Sequence, residues 1–222
     1  MIMKIGIEDL LDLSHTRAAG LFAGKTYPWE VLSGIEACIL SIGATLDSNA
    51  FDNPKPGVWI AKDAKVYASA YIAGPCIIDS GTEVRHGAFI RGKALVGKNC
   101  VVGNSTELKN VILFDNVQAP HYNYIGDSVL GFKSHMGAGS IASNLKSDKS
   151  LVVVKGADGN IETGLKKFGA ILGDYAEVGA NAVLNPGTVA GRRCSIYPVS
   201  CARGVIPEDS ICKSGGKICP KS

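Results

Sequence analysis

Arg91 and Lys109 lie 18 residues apart, each directly after a branched aliphatic, Ile90 and Leu108. Successive side chains in a strand alternate between faces, so cations that follow inward aliphatics point outward. If three six-residue units close one turn of a coil, the two cations are stacked about 4.8 Å apart. Like charges at that distance repel by about 0.8 kcal/mol in water and about 3.5 kcal/mol at an effective dielectric constant of about 20. An anion between them reverses the sign. Two readings stand: solvated cations that splay apart, or a site for phosphate or carboxylate. His121, in Pro120-His121-Tyr122-Asn123-Tyr124, is a candidate general base, because imidazole titrates near neutrality and can take a proton from an attacking amine or hydroxyl. A lone histidine in a turn is more often structural. His135, in Ser134-His135-Met136-Gly137, is a second polar group close in sequence.

A regular element must hold these groups. Ile60, Val66, Ile72, Ile78, Val84, Ile90, Val96, Val102 and Leu108 recur every six residues, and small residues such as Cys76, Thr82, Ala88 and Cys100 follow four positions later. This hexapeptide repeat predicts an all-β parallel β-helix, each hexad giving one short strand and one corner. After Leu108 the register slips by one, resuming at Leu113, Ala119 and Ile125, and slips again to Leu130 and Met136. It stops from 142 to 169, where a hairpin or extended loop is expected to protrude, and returns from Leu172 to Ile196. Residues 1–50 lack the repeat. A short helix from Ile7 and an amphipathic helix after Pro28 are expected there, packed on the solenoid or capping its first coil. The domain reading is a helical cap segment over 1–50, a β-helix over 51–207 with an insertion at 142–169, and a tail over 208–222.

The stretch Gly103-Asn104-Ser105-Thr106-Glu107-Leu108-Lys109, then Pro120 to Asp127, then Gly137-Ala138-Gly139-Ser140-Ile141-Ala142-Ser143-Asn144, resembles the acetyltransferase half of bifunctional glucosamine-1-phosphate acetyltransferase/N-acetylglucosamine-1-phosphate uridyltransferases. The resemblance implies a left-handed β-helix, although parallel crossovers are otherwise nearly always right-handed. It also implies homotrimers that bind acetyl-CoA as co-substrate between neighbouring subunits. By the same resemblance His121 is the general base, and Arg91, Lys109 and Tyr124 hold the sugar phosphate, with Lys167 as the later lysine of that site. Asn144 matches a residue at the acetyl-CoA end and a possible oxyanion donor, and Ala138 and Ala180 fall at backbone contacts to the cofactor. CoA carries phosphates of its own, which the pair Arg192-Arg193 would suit, unless that pair is an ordinary solvated turn. Three departures bear on the substrate: His135 replaces the usual asparagine, Leu145 replaces an aromatic, and the 142–169 loop is long.

The expected activity is N-acetylation of an amino-sugar phosphate such as glucosamine 1-phosphate, with no metal required. The alternative is a non-catalytic trimeric sugar-phosphate-binding or assembly subunit. The 50 residues before the repeat are too few for a nucleotide-binding α/β domain, so uridyltransferase activity is not expected of this chain. Zinc chemistry of the γ-carbonic anhydrase type needs histidines five apart, but Gly126 and Ser140 stand five after His121 and His135. Seven cysteines with no zinc-like spacing read as reduced thiols. A net charge of +3 and 7% aromatic residues argue against nucleic acid as partner. No apolar run approaches the roughly 20 residues that span a membrane, and a cytoplasmic location is expected.

Overall fold

Aliphatics six apart can share one interior only if the chain turns after every hexad, and the computed structural model shows that arrangement over the described residues, 5–157 and 159–221. The solenoid is a left-handed parallel β-helix of about nine turns. Its first face stacks strands such as Glu83–Val84, Val101–Asn104, Gln118–His121, His135–Met136 and Glu177–Val178 in parallel. The second face stacks Tyr71–Ile72, Phe89–Ile90, the first half of Glu107–Leu113, the first half of Tyr124–Leu130, and Ile141–Ala142. The third carries Val58–Ala61, Cys76–Ile78, Ala94–Val96 and the second halves of the two long strands.

From Ile72 to Leu108 the hexad aliphatics are buried, whereas Ile60 is half-buried and Val66 is 36% exposed. These last two belong to the first coil, where Val66 has a strand neighbour on one side only and Ile60 is flanked on its outer side by the antiparallel segment Phe51–Lys55. The small residues fit the corners and close them. Thr82 Oγ1 donates to the Gly97 carbonyl at 2.7 Å and accepts from the Cys100 N–H at 3.0 Å. Cys76 and Cys194 sit in such slots, where burial pushes their thiols up to about 12, so they act as packing groups.

Residues 5–50 form a strap of short helical turns and the helix Ile35–Gly43, which packs along the third face. The end of the solenoid is covered instead by Phe51–Lys55, antiparallel to Val58–Ala61. His15 stacks on Phe132 with ring centroids 3.6 Å apart, and buried Trp29 lies between Tyr27 and Phe168. Phe168 is the residue by which the insertion rejoins the core. The insertion contains the antiparallel hairpin Val153–Gly156 with Gly159–Glu162, and its Val152 and Val154 are fully buried, so it folds back onto the coils. The segment expected as a tail is partly solenoid. Ser210–Cys212 extends the first face in parallel register, and Ile218–Pro220 pairs with it antiparallel. Among the described residues no helix is long and apolar enough to cross a membrane.

Candidate active site

The register slip at Leu108 is a one-residue corner. Where ordinary corners use two residues, Asn110 and, one coil on, Asp127 make the turn alone in the left-handed region, with φ of 55° and 47°. Asn and Asp tolerate that conformation better than other residues with side chains. The next residue in this column is Asn144, where the insertion departs. Asp127 is 5% exposed and is the shared acceptor of the column. Lys109 Nζ reaches its two oxygens at 3.2 and 3.0 Å, Asn110 Nδ2 donates at 2.9 Å, and Asn144 Nδ2 also donates to it. The Asp127 carbonyl accepts the Gly169 N–H, which fixes the returning end of the insertion. Lys167 is exposed beside that end, next to Phe168, whose N–H donates to the Asn144 carbonyl.

Lys109 and Arg91 are stacked in register on the second face, with the Arg91 N–H donating to the Leu108 carbonyl. Their side chains diverge, because each has its own carboxylate: Arg91 pairs with Glu107 at 2.7 Å and Lys109 with Asp127. Tyr124 follows Glu107 one coil on. Burial, then the Glu107 and Asp127 carboxylates, raise its phenol above the usual tyrosine value, so it is a neutral hydrogen-bond donor. Gly126 makes room for this cluster. A Cβ there would lie 2.6 Å from the Tyr124 hydroxyl and 2.7 Å from Asn144 Nδ2.

Across the corner formed by residues 121–124, the first face presents a groove. His121 ends the strand Gln118–His121, with its Cα opposite that of Asn104. The Gly139 N–H donates to the His121 carbonyl, Asn181 to Ala138, and Val199 to Ala180, which stacks His121, Ala138 and Ala180 in one column. Gly137, Ala138, Gly179 and Ala180 floor an open groove of about 460 Å³. His135 stands at its side with Nδ1 3.0 Å from Glu177 Oε2. The His121 ring is exposed and has no side-chain partner among the described residues.

Two expected groups lie elsewhere. Arg192 and Arg193 occupy the opposite edge of the first face, where Asp174 holds the former at 3.3 Å and Asp209 and Glu208 hold the latter. Their charges are matched internally and they do not line the groove. Asn144 stands at the far corner of the second face, where its Nδ2 donates to Asp127. Glu107 and Asp127 had escaped the sequence reading, although each cation has its carboxylate 16 to 18 residues on, one coil away.

The GMPPB C-terminal domain matches residues 72–171. The bifunctional protein GlmU of Methanococcus aeolicus is 32% identical over 165 residues, covering 66% of this chain and 40% of that protein. The bifunctional sugar-1-phosphate nucleotidylyltransferase/acetyltransferase of Sulfurisphaera tokodaii is 32% identical over 152 residues, covering 68% of this chain and 38% of its own length. The chain resembles the acetyltransferase half of such bifunctional proteins. It spans about two fifths of the length of these curated relatives. Among solved structures, a hexapeptide transferase family protein from Anaplasma phagocytophilum aligns with 75% of this chain and 81% of its own, at 15% identity and a TM-score of 0.42.

In this acetyltransferase-like solenoid one glycine controls the placement of His121. A Cβ on Gly103 would overlap the Pro120 carbonyl of the next coil. Gly103→Ala is therefore expected to push Pro120-His121 away from the groove and to cost about 1–3 kcal/mol of stability. Urea unfolding followed by circular dichroism measures the second effect.

Proposed function

We propose that the chain is an acetyl-CoA-dependent N-acetyltransferase acting on an amino-sugar phosphate, with sites completed between subunits of a homotrimer. The observation that carries this reading is the corner at residues 121–124. On one side His121 stacks one coil before Ala138, in the column whose Ala138 and Ala180 floor the groove, and on the other stand Arg91, Lys109 and Tyr124. A thioester in the groove and a phosphate near the cations would bring an amine to the corner from the second side.

Such an amine is an ammonium at neutral pH and cannot attack until it loses a proton. His121 accepts that proton as the nitrogen bonds to the thioester carbonyl carbon, main-chain N–H groups stabilise the oxyanion, and the tetrahedral intermediate expels the thiolate. The nitrogen still carries one proton too many after attack; that proton passes to the departing CoA sulfur while the imidazolium releases the first to solvent, so the proton balance closes. The phosphate competes with Glu107 for Arg91 and with Asp127 for Lys109. Because Lys109 is tied to a nearly buried carboxylate while the Arg91–Glu107 pair is more open to solvent, Arg91 is the freer of the two to turn toward a ligand.

A thiol-release assay with acetyl-CoA and a panel of amino-sugar phosphates tests the reading. CoA released at a rate no higher than that of His121→Ala sinks it. Arg91→Ala is expected to raise KM for the phosphorylated acceptor about tenfold, the low end for a charge-assisted bond at an exposed site, and to leave KM for acetyl-CoA unchanged. An equal change in both constants would count against a phosphate contact.

A further inference from the structure

We propose that Asn104 is a positioning residue for His121: its carboxamide oxygen accepts the imidazole Nδ1 proton and leaves Nε2 as the lone pair that meets the amine. The proposal rests on the reading of His121 as the base. Asn104 Oδ1 is one of three buried side-chain oxygen or nitrogen atoms without a hydrogen-bond partner among the described residues. Buried acceptors are nearly always satisfied, so an orphaned one points to a partner that arrives with the working state. The Asn104 and His121 Cα atoms are paired in register on adjacent strands.

The backbone around both side chains is pinned. The Tyr122 N–H donates to the Asn104 carbonyl at 2.8 Å, the His121 N–H donates to Asn123 Oδ1 at 3.2 Å, and the His121 carbonyl accepts from Gly139 at 2.9 Å. Only the exposed imidazole has freedom to turn, and rotation about its side-chain bonds swings Nδ1, the nitrogen nearer the backbone, toward the neighbouring strand. Rival acceptors nearby are engaged. Glu107 holds Arg91, Asp127 holds three donors, and Asn123 Oδ1 already accepts from the His121 N–H and from Thr106 Oγ1. A neutral imidazole left alone in water favours the proton on Nε2, the wrong nitrogen for a base whose outer end must accept. A hydrogen bond at Nδ1 selects the useful tautomer, the service that a third group performs for the histidine of a catalytic triad.

The experiment compares 15N spectra of histidine-labelled protein at a pH where the ring is neutral, with His121→Gln assigning the signal. The wild type and Asn104→Asp are expected to show the Nδ1–H form, and Asn104→Leu a shift toward Nε2–H. In the acetyl-transfer assay Asn104→Leu is expected to lower kcat about tenfold with KM unchanged, part of the 10²–10⁴ that a base contributes, and Asn104→Asp to restore it. The same tautomer in the wild type and Asn104→Leu overturns the proposal. Because the spectra need no turnover, a failure of His121 as base, seen as full activity in His121→Ala, is separately visible. Asn104→Asp also guards against misfolding of the leucine variant.

Discussion

His121→Ala is expected to lower kcat for acetyl transfer by about 10²–10⁴, the usual contribution of general base catalysis. The fold should be untouched, since the ring is exposed and bonds to no described side chain, and surface substitutions of that kind stay within about 0.5 kcal/mol. KM for acetyl-CoA should also hold, because the groove floor is made of Gly137, Ala138, Gly179 and Ala180 rather than of the imidazole. The pH profile gives a sharper test. A variant without a base depends on the fraction of amine that is already neutral, so its rate should keep climbing as pH rises toward the amine's own titration. The gap from the wild type should narrow accordingly. A gap that stays constant with pH would mean that His121 contributes something other than proton removal.

The periodicity was the legible part of this chain, and its legibility failed wherever spacing or residue type changed. The aliphatic ladder from Ile72 to Leu108 maps directly onto the buried interior, because a hexad leaves one inward position per strand. The last coil was harder to read. Ile206 ends the expected solenoid, but beyond it the inward, buried slot is filled by Cys212 and not by an aliphatic, so residues 208–222 resemble a tail. Among the site residues, the coil length sufficed to stack Arg91 on Lys109. It did not disclose that Glu107 and Asp127 occupy the columns on either side and draw the cations apart. Likewise Asn144 carries a motif position in sequence, yet the one-residue corner beneath it directs its amide to Asp127, away from the groove. Pair partners one coil away are separated by 16 to 18 residues, a distance at which opposite charge alone is a weak signal.

Asp127→Ala is expected to destabilise the chain by about 3 kcal/mol, because it strands several donors at once. Lys109 is half-buried and can partly rehydrate, which holds the cost below that of a fully buried orphaned charge. Asn110 and Asn144 lose the carboxylate that joins their two coils, and Asn110 keeps only its bond to the Leu32 carbonyl of the strap. Asp127→Asn separates charge from shape. It preserves volume, but one of its two oxygens becomes an NH2 group, which must face Lys109 together with either Asn110 or Asn144, all of them donors. It should therefore recover little of the lost stability. The damage should spread from the corner where the insertion leaves and returns, since the Gly169 N–H is held by the Asp127 carbonyl and Phe168 packs on Trp29. Hydrogen exchange read by mass spectrometry should show early opening of residues 143–169 in both variants, while the first-face strands around Val84 and Val102 stay protected. Uniform deprotection of the whole solenoid would show instead that Asp127 supports global folding and not this corner.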